Sequence, residues 1–360
     1  MHRATEAALF SVALVLVRGF VACNSPKPAP PAPPEPVSAA KAPAPPPTGP
    51  ETIADPVAPQ RPMLVDMEPR RQAGNWVTAR PGFQTSRTTA QRGGIEPCAT
   101  PAADASTFDD WAPLSQGKFS APRGLTLDDD GGFDLVIHLL GDDAVRRELI
   151  LSQQPFVLVS LTVGPSESYG GLFAGTSLQA AIVGGVERAL SKRLGKPAHL
   201  RHLAMSAWSA GFVGIEVALC QPAGKAIDSV ILIDGLHAPR NDEPAFKAQM
   251  KPFVDFARLA SRGERSLFVV HSSIDPPNFA STTECAHYLI ATLGGKPRPV
   301  RRADPFGLEL VEFYQQGDFQ VRGYAGNDRA DHCAQLAVLR DAFGALGARW
   351  KARKPGEAAQ

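Results

Sequence analysis

The sequence lacks any block of like charge, because 37 Lys and Arg nearly balance 36 Asp and Glu and leave a formal net charge of +1. A surface that binds nucleic acid usually carries clustered Lys and Arg, so no nucleic-acid partner is expected. Also missing are a Cys-x-x-Cys pair and a His-Glu-x-x-His motif, two compact spacings that are typical of zinc sites. We therefore predict no metal site and no cofactor. The remaining composition, 44% apolar and 20% charged, is that of an ordinary globular protein.

The N-terminal apolar run, residues 7–17, is too short to cross a bilayer stably and has the shape of a secretory signal. After it comes Phe20-Val21-Ala22-Cys23, which resembles the cleavage box of bacterial lipoproteins, although Arg18 interrupts the apolar region and Phe20 replaces the usual leucine. The resemblance implies that Cys23 becomes the lipidated first residue of an exported protein. Such a protein is anchored to a membrane and faces the periplasm or the cell exterior. An ordinary signal peptide is the alternative.

Proline dominates residues 26–50. A segment of this composition cannot bury a core and is expected to form an extended polyproline II tether. A tether between a lipidated cysteine and a domain would hold that domain away from the membrane. The predicted organisation is a signal peptide at 1–23, a proline-rich linker at 24–60, an irregular segment at 61–99, one globular domain at 100–352 and a tail at 353–360.

Four cysteines follow Cys23, namely Cys98, Cys220, Cys285 and Cys333. Disulfides are allowed in an exported domain because its compartment is oxidising. Four cysteines permit three complete pairings, and their spacing does not choose among them. Cys220 lies on the apolar side of a predicted buried helix and is alternatively a small buried hydrophobe.

Short apolar runs alternate with segments of helical periodicity over most of the C-terminal two thirds of the chain. The runs cover residues 133–140, 155–163, 229–233 and 266–270. Strands that are apolar almost throughout are typical of a parallel sheet covered on both faces. Ser281 and Glu284 form a capping-box pattern at the start of one intervening helix. The predicted fold class is α/β, with a mostly parallel doubly wound sheet, and the segment 234–266 has room for one helix but no large cap domain.

The stretch 203–214 predicts a strand, a sharp turn that carries Ser209, and a buried helix. Small residues surround the serine, with Ala207 two before it, Ala210 directly after it and Gly211 two after it. Small neighbours let the strand and the helix approach, and such a turn holds a serine hydroxyl at the carboxyl edge of a sheet. The usual pattern is Gly-x-Ser-x-Gly, from which Ala207 departs. An ordinary helix start is the alternative interpretation.

Sites in sheets of this kind form at the carboxyl ends of the strands, and three suitable side chains follow one another in the order Ser209, Asp275, His332. The chain resembles the α/β-hydrolase fold serine hydrolases, esterases among them, from about residue 133 to residue 350. The matching pieces are the turn around Ser209, the segment 274–277 with Asp275, and the segment 326–332 with His332.

The resemblance implies that Ser209 is the nucleophile, His332 the general base and Asp275 the carboxylate that orients the base. Asp234, at the end of the preceding predicted strand, is the alternative acid. The oxyanion hole is expected to use backbone N–H groups, from Ala210 and from Leu140 and Gly141 in the loop after the first apolar run.

These features predict an exported, lipid-anchored serine hydrolase that cleaves carboxylic esters or related acyl bonds of a small-molecule or acyl substrate. Two alternatives stay open. His138, Asp234, His237 and His271 all lie at predicted strand ends, and imidazoles with a carboxylate are good zinc ligands, so a metal-dependent hydrolase is one alternative. A non-catalytic binding or surface-display domain on the same fold is the other.

Overall fold

A computed structural model of the chain describes residues 107–164, 166–304, 308–326 and 328–352. Several predictions fall outside these ranges and stay predictions. They concern the signal peptide at 1–23 with Cys23, the linker at 24–60, the irregular segment at 61–99 with Cys98, and the tail at 353–360.

Strands and helices alternate through the described ranges. The strands are β1 (Ala112–Pro113), β2 (Lys118–Ser120), β3 (Gly132–Leu139), β4 (Val157–Leu161), β5 (His199–Trp208), β6 (Ser229–Ile233), β7 (Ala238–Pro239), β8 (Ser266–His271), β9 (Phe279–Ala280), β10 (Arg298–Ala303), β11 (Glu309–Gln316) and β12 (Phe319–Tyr324). The helices are α1 (Asp142–Ser152), α2 (Ser166–Phe173), α3 (Leu178–Leu194), α4 (Phe212–Leu219), α5 (Glu243–Ser261), α6 (Thr282–Thr292), α7 (Arg329–Ala334) and α8 (Leu339–Ala352).

A ten-stranded sheet in the order β1-β2-β4-β3-β5-β6-β8-β12-β11-β10 forms the centre of the fold. The six strands from β4 to β12 run parallel to one another. At the two ends of the sheet β1, β2, β10 and β11 pair antiparallel. The carboxyl ends of β3, β5, β6 and β8 therefore meet at one edge, where loops from different parts of the sequence converge.

Each face of the sheet is covered by its own set of helices because side chains alternate along every strand. Leu135 and Ile137 of β3 pack into a core with α3, α4, α5 and α6, whereas Val136 between them packs into a second core with α1 and α8. β4 and β6 are buried along their whole length. Burial on both faces explains why these strands have continuous apolar sequences rather than alternating ones.

The predicted fold class is confirmed: the protein is an α/β structure with a mostly parallel doubly wound sheet. Between β6 and β8, where every residue is described, lie only β7 and α5, and no cap domain is present there.

The capping box of α6 is also confirmed, since Ser281 Oγ accepts from the backbone N–H of Glu284 and the Glu284 carboxylate accepts from the N–H of Ser281. No helix in the described ranges has the length and apolar character needed to cross a membrane.

Cys220 and Cys333 are each disulfide-bonded, which decides between the two possibilities left open for Cys220. Cys220 directly follows α4, and Cys333 lies in α7 next to His332. Cys285 of α6 is a free, buried thiol. Burial in apolar surroundings raises the pKa of the Cys285 thiol well above its usual value, so this thiol is unreactive.

Candidate active site

Strained backbone marks the carboxyl edge of the sheet. Ser209 after β5, Asp234 after β6 and Leu140 after β3 all have positive φ, at 50°, 44° and 72°. Side chains other than glycine rarely adopt this left-handed region, and such residues concentrate at functional sites. The three strand ends are neighbours, because β3, β5 and β6 are adjacent in the sheet. The strain therefore points to one location for a site.

The turn at Ser209 is packed tightly against the neighbouring loops. A Cβ atom on Gly211 would lie 2.5 Å from the backbone oxygen of Leu139, and one on Gly235 would overlap the backbone of Ser209 itself. Neither position therefore has room for a larger side chain. Ala207 is 1% exposed and pairs with Leu139 and Leu232 on the adjacent strands, so the methyl group that departs from the usual motif is accommodated in the core.

Gly211→Ala is expected to destabilise the protein by about 1–3 kcal/mol, since the added methyl group must displace the Leu139 backbone. Any reaction at Ser209 should slow as well, because the same displacement moves the Ser209 turn. Ala207→Gly is the matched control. It removes a methyl group two residues before the serine and should cost only about 0.5–1 kcal/mol. Denaturant unfolding measures both values, and equal losses in the two variants would contradict this packing.

His332 and Asp234 form a direct hydrogen bond, with 2.7 Å between His332 Nδ1 and Asp234 Oδ2. A carboxylate can only accept, so Nδ1 carries the proton and Nε2 keeps its lone pair when the ring is neutral. Asp234 follows β6, whereas His332 lies in α7, 98 residues later in the sequence. A carboxylate in this position holds an imidazole in one orientation and one tautomer.

Two further donors fix the Asp234 carboxylate. Its Oδ1 accepts from the Ser272 backbone N–H and from Thr282 Oγ1, each at 2.8 Å. The side chain is only 2% exposed. Burial alone would raise the pKa of Asp234, but the hydrogen bond and charge of His332 and the other donors outweigh it and lower the pKa to about 2. Asp234 is therefore ionised at neutral pH. No local pattern in the sequence indicates Ser272 or Thr282 as its partners.

The expectation that Asp275 orients His332 is corrected by the structure. The Asp275 side chain is 57% exposed and pairs with Arg240, which also bonds Glu284 at 2.8 Å. Asp234, the alternative in that prediction, occupies the position next to His332. Asp275 follows β8 as predicted, but the loop carries its carboxylate outward to the Arg240 guanidinium.

Trp208 is a member of the site that the sequence analysis did not identify. Its indole ring stacks on the His332 ring with 4.8 Å between centroids and 28° between planes, and its Nε1 donates to the His332 backbone oxygen at 3.3 Å. These contacts hold the imidazole at one face of its ring, in addition to the Asp234 contact at Nδ1. The signal available in the sequence was the position of Trp208, directly before Ser209.

Ser209 is half-buried, so its hydroxyl is not sealed in the interior. Within the described ranges, Ser209 Oγ makes no hydrogen bond to His332, and His332 Nε2 makes none to any residue. Contacts between a nucleophile and its base are often long without substrate and shorten when substrate binds. Since Trp208 contacts the His332 ring and Gly235 contacts the Ser209 backbone, the serine, imidazole and carboxylate lie in one neighbourhood.

The three expected oxyanion donors differ in what their N–H groups do. Leu140 N–H donates to the Leu161 backbone oxygen at 3.0 Å, so the prediction of Leu140 as an oxyanion donor is corrected: the sheet ladder already uses that hydrogen. Gly141 N–H makes a long hydrogen bond of 3.3 Å to Thr162 Oγ1. Ala210 lies in the first turn after Ser209, where helix N–H groups have no intrahelical acceptor.

His138 supports this loop and is not a ligand or a base. Its Nε2 donates to the Leu140 backbone oxygen at 2.7 Å, which leaves Nδ1 to accept from Ser206 Oγ at 2.9 Å. The ring is fully buried, and burial lowers the pKa of His138 to about 4. Neutral His138 therefore holds the Leu140–Gly141 peptide in one orientation beside the serine turn.

Acidification from pH 7 to pH 5 is expected to reduce stability through His138 by about 2 kcal/mol. The pKa is lowered on folding, so the unfolded chain binds a proton below about pH 6.5, while the folded protein binds it only near pH 4. Stability is thus lost as pH falls through this window. His138→Gln should be less stable at pH 7 but show a flatter pH dependence, measured by denaturant unfolding. An unchanged slope would contradict the assignment.

The four strand-end residues of the metal-site hypothesis are not brought together. His138 bonds Ser206 and Leu140, His237 Nδ1 donates to the Ala280 backbone oxygen at 3.0 Å, and Asp234 bonds His332. Burial lowers the pKa of His237 to about 4. His271 alone joins a different group, with His287 and Glu312.

No family model matches the chain, and no curated protein matches its sequence. Similar solved structures include an uncharacterised protein from Capnocytophaga ochracea, with 9% identity and a TM-score of 0.39 over 70% of this chain and 66% of that one. The enterobactin esterase from Shigella flexneri has 13% identity and a TM-score of 0.37, over 64% of this chain and 56% of that one. An S-formylglutathione hydrolase from Agrobacterium tumefaciens has 13% identity and a TM-score of 0.33, over 68% and 99%. The chain spans less than two thirds of the first two proteins, and these likenesses concern the fold alone.

Proposed function

We propose that this chain is a serine hydrolase that cleaves carboxylic esters or related acyl bonds of a small-molecule or acyl substrate, with Ser209 as nucleophile, His332 as base and Asp234 as acid. The observation that carries the proposal is the 2.7 Å hydrogen bond from His332 Nδ1 to Asp234 Oδ2, beside the left-handed turn that holds Ser209. No metal or cofactor takes part in the proposed steps.

In the first half-reaction, His332 Nε2 takes the proton of Ser209 Oγ as that oxygen bonds to the acyl carbon. The carbonyl π electrons move to its oxygen, which the N–H of Ala210 stabilises. The intermediate then collapses: the carbonyl re-forms, the bond to the alcohol breaks, and Nε2–H protonates the departing alkoxide. Ser209 is left as an acyl ester.

In the second half-reaction, His332 Nε2 takes a proton from water, and the hydroxide oxygen attacks the acyl carbon. Collapse breaks the bond to Ser209 Oγ, which recovers its proton from Nε2, and the carboxylic acid leaves. Throughout, ionised Asp234 stabilises the imidazolium that forms in each half-reaction. Stacking by Trp208 keeps the ring in the plane that both half-reactions need.

Hydrolysis of p-nitrophenyl esters of increasing acyl length by the full chain tests the proposal. Saturable turnover that stops after treatment with an organophosphorus serine-hydrolase inhibitor is the expected result. Absence of turnover on every ester, with the circular dichroism of a folded α/β protein, would contradict it and favour a binding or display domain.

Export and membrane anchoring through lipidated Cys23 are part of the same proposal, supported by the sequence of residues 1–60. Expression in a bacterium fed radiolabelled palmitate should label the wild type in the membrane fraction. Cys23→Ser should lose both the label and the membrane association. Equal labelling of the two proteins would refute the anchor and leave the hydrolase assignment untouched.

A further inference from the structure

Three side chains outside the site already described converge behind Asp234. They are His271 at the end of β8, His287 in α6 and Glu312 in β11. One nitrogen or oxygen from each lies within 4.8 Å of the other two. Glu312 Oε1 is 2.8 Å from His271 Nε2 and 2.6 Å from His287 Nε2. The exposed fractions of the side chains are 3%, 8% and 18% in the same order.

A glycine on the middle strand leaves space between His271 and Glu312. Gly323 of β12 pairs with His271 on one neighbouring strand and with Glu312 on the other. A Cβ atom on Gly323 would lie 2.7 Å from His271 Nε2 and would also overlap the Glu312 side chain. Because residue 323 has no side chain, His271 and Glu312 approach each other across the middle strand, and His287 reaches the same space from α6.

The ring orientation of His271 is fixed from its far side. His271 Nδ1 lies 2.9 Å from Thr283 Oγ1 and 3.2 Å from the Ser272 backbone oxygen. Thr283 Oγ1 donates its own hydrogen to that backbone oxygen, so both groups accept from Nδ1. The proton of the neutral ring is therefore on Nδ1, and Nε2 presents a lone pair. Metal-binding histidines are held in this way, with the second ring nitrogen donating to a backbone carbonyl or a similar acceptor.

His271 Nε2 is buried and makes no hydrogen bond, even though a carboxylate oxygen lies 2.8 Å away. The direction from the ring through Nε2 does not point at Glu312 Oε1, so the short distance is not a hydrogen bond. When the His271 ring is neutral, its Nε2 lone pair lies beside a carboxylate oxygen in a buried space, which is unfavourable unless a proton or a metal cation lies between them. His271 Nε2 therefore has the orientation of a metal ligand, whereas His287 Nε2 forms a hydrogen bond to Glu312 Oε1 at 2.6 Å that an ion would replace.

We propose that His271, His287 and Glu312 bind one divalent transition-metal ion, with Zn²⁺ as the best-fitting ion. Two imidazole nitrogens and one carboxylate oxygen are a donor set that Zn²⁺ accepts, with a fourth position left for water. Bonds of roughly 2.0–2.2 Å to the ion require the donors to separate to roughly 3.3 Å. Rotation of the Glu312 side chain, which has three rotatable bonds, supplies that small separation.

The ion would join β8, β11 and α6, three elements that meet next to the acid of the proposed triad. Ser272, adjacent to His271, donates its N–H to Asp234, and Thr282, at the start of α6, donates to the same carboxylate oxygen. The site is therefore a structural support for the Asp234 loop. The test of this site is independent of the proposed hydrolase activity, because metal binding is measured without ester hydrolysis.

The test is titration of the metal-stripped full chain with Zn²⁺ by calorimetry and with Co²⁺ by visible absorption. One ion per chain with a Kd below about 10 μM is expected, together with a rise in Tm as Zn²⁺ is added. Glu312→Gln and His287→Gln should each weaken binding by at least about 100-fold. His199→Gln is the matched control, because His199 is 47% exposed and belongs to the opposite end of the strands, and its binding should equal the wild type.

Absence of saturable binding of either ion to the wild type would overturn the proposal, whatever the variants do. Retention of wild-type affinity in both Glu312→Gln and His287→Gln would overturn it too, since binding would then occur elsewhere. Circular dichroism shows whether each variant is folded, and the wild-type titration decides the matter if neither variant folds. Labelling of Ser209 by a serine-hydrolase probe without metal binding would reject this site alone.

Discussion

Ser209→Ala is expected to lower kcat for an activated ester by about 10⁴–10⁶-fold while the protein stays folded. The reason is that, among the residues the structure describes, Ser209 is the one hydroxyl-bearing residue with a left-handed backbone, so the covalent route is lost altogether. Residual hydrolysis would come only from stabilisation of the carbonyl oxygen and from binding. Initial rates over a range of ester concentrations, with purified wild type and variant, measure the effect.

Ser115→Ala is the control for this experiment. Ser115 is an exposed serine between β1 and β2, and its replacement should leave kcat at the wild-type value. A Ser209→Ala protein that keeps more than a tenth of wild-type kcat would reject Ser209 as the nucleophile.

Asp234→Asn is expected to reduce kcat by about 10⁴-fold, because an amide that replaces the carboxylate favours the wrong tautomer of His332 and no longer stabilises the imidazolium. The substitution keeps the size of the side chain. The deficit should be in kcat rather than in KM, since Asp234 touches the base and not the substrate. Kinetics of hydrolysis for this variant and the wild type separate the two parameters.

Asp275→Asn is the matched variant, with the same chemical change in the next strand-end loop. Its side chain is 57% exposed and pairs with Arg240, and exposed ion pairs contribute little, so kcat should stay close to the wild type. If Asp275→Asn instead lost as much activity as Asp234→Asn, the assignment of the acid would be wrong.

Much of the architecture follows from hydrophobic patterning. Strands buried on both faces need continuous apolar sequences, and the run at 229–233 became β6 with the same bounds. The turn at Ser209 was also predictable, because Ala210 and Gly211 are small enough for the strand and the helix to approach. In the structure, this requirement appears as the positive φ of Ser209 and the close contact of Gly211 with Leu139.

The choice between the two carboxylates was not predictable from the sequence. Asp234 and Asp275 both follow buried strands, and only the path of each loop separates them. The backbone of Asp234 turns into the left-handed region and carries its carboxylate to His332, while Asp275 meets Arg240. A loop conformation of this kind depends on contacts from Ser272 and Thr282, which are distant in sequence from Asp234.

Two other features could not be predicted from the sequence, for similar reasons. The sheet register decides which N–H groups of the loop after β3 bond to the neighbouring strand. Leu140 N–H donates to the Leu161 backbone oxygen. The group of His271, His287 and Glu312 has no compact spacing, because a strand, a helix and another strand each supply one member. The one local indication is Gly323. A glycine at this position can be interpreted only once its pairing with His271 and Glu312 is known.

The most direct test of the central claim is to react the full chain with a fluorophosphonate and locate the adduct by peptide mass spectrometry. The account predicts one phosphonylated residue, Ser209, with labelling strongly slowed in Asp234→Asn and unchanged in Asp275→Asn. Labelling on another serine, or none on a folded protein, would contradict it.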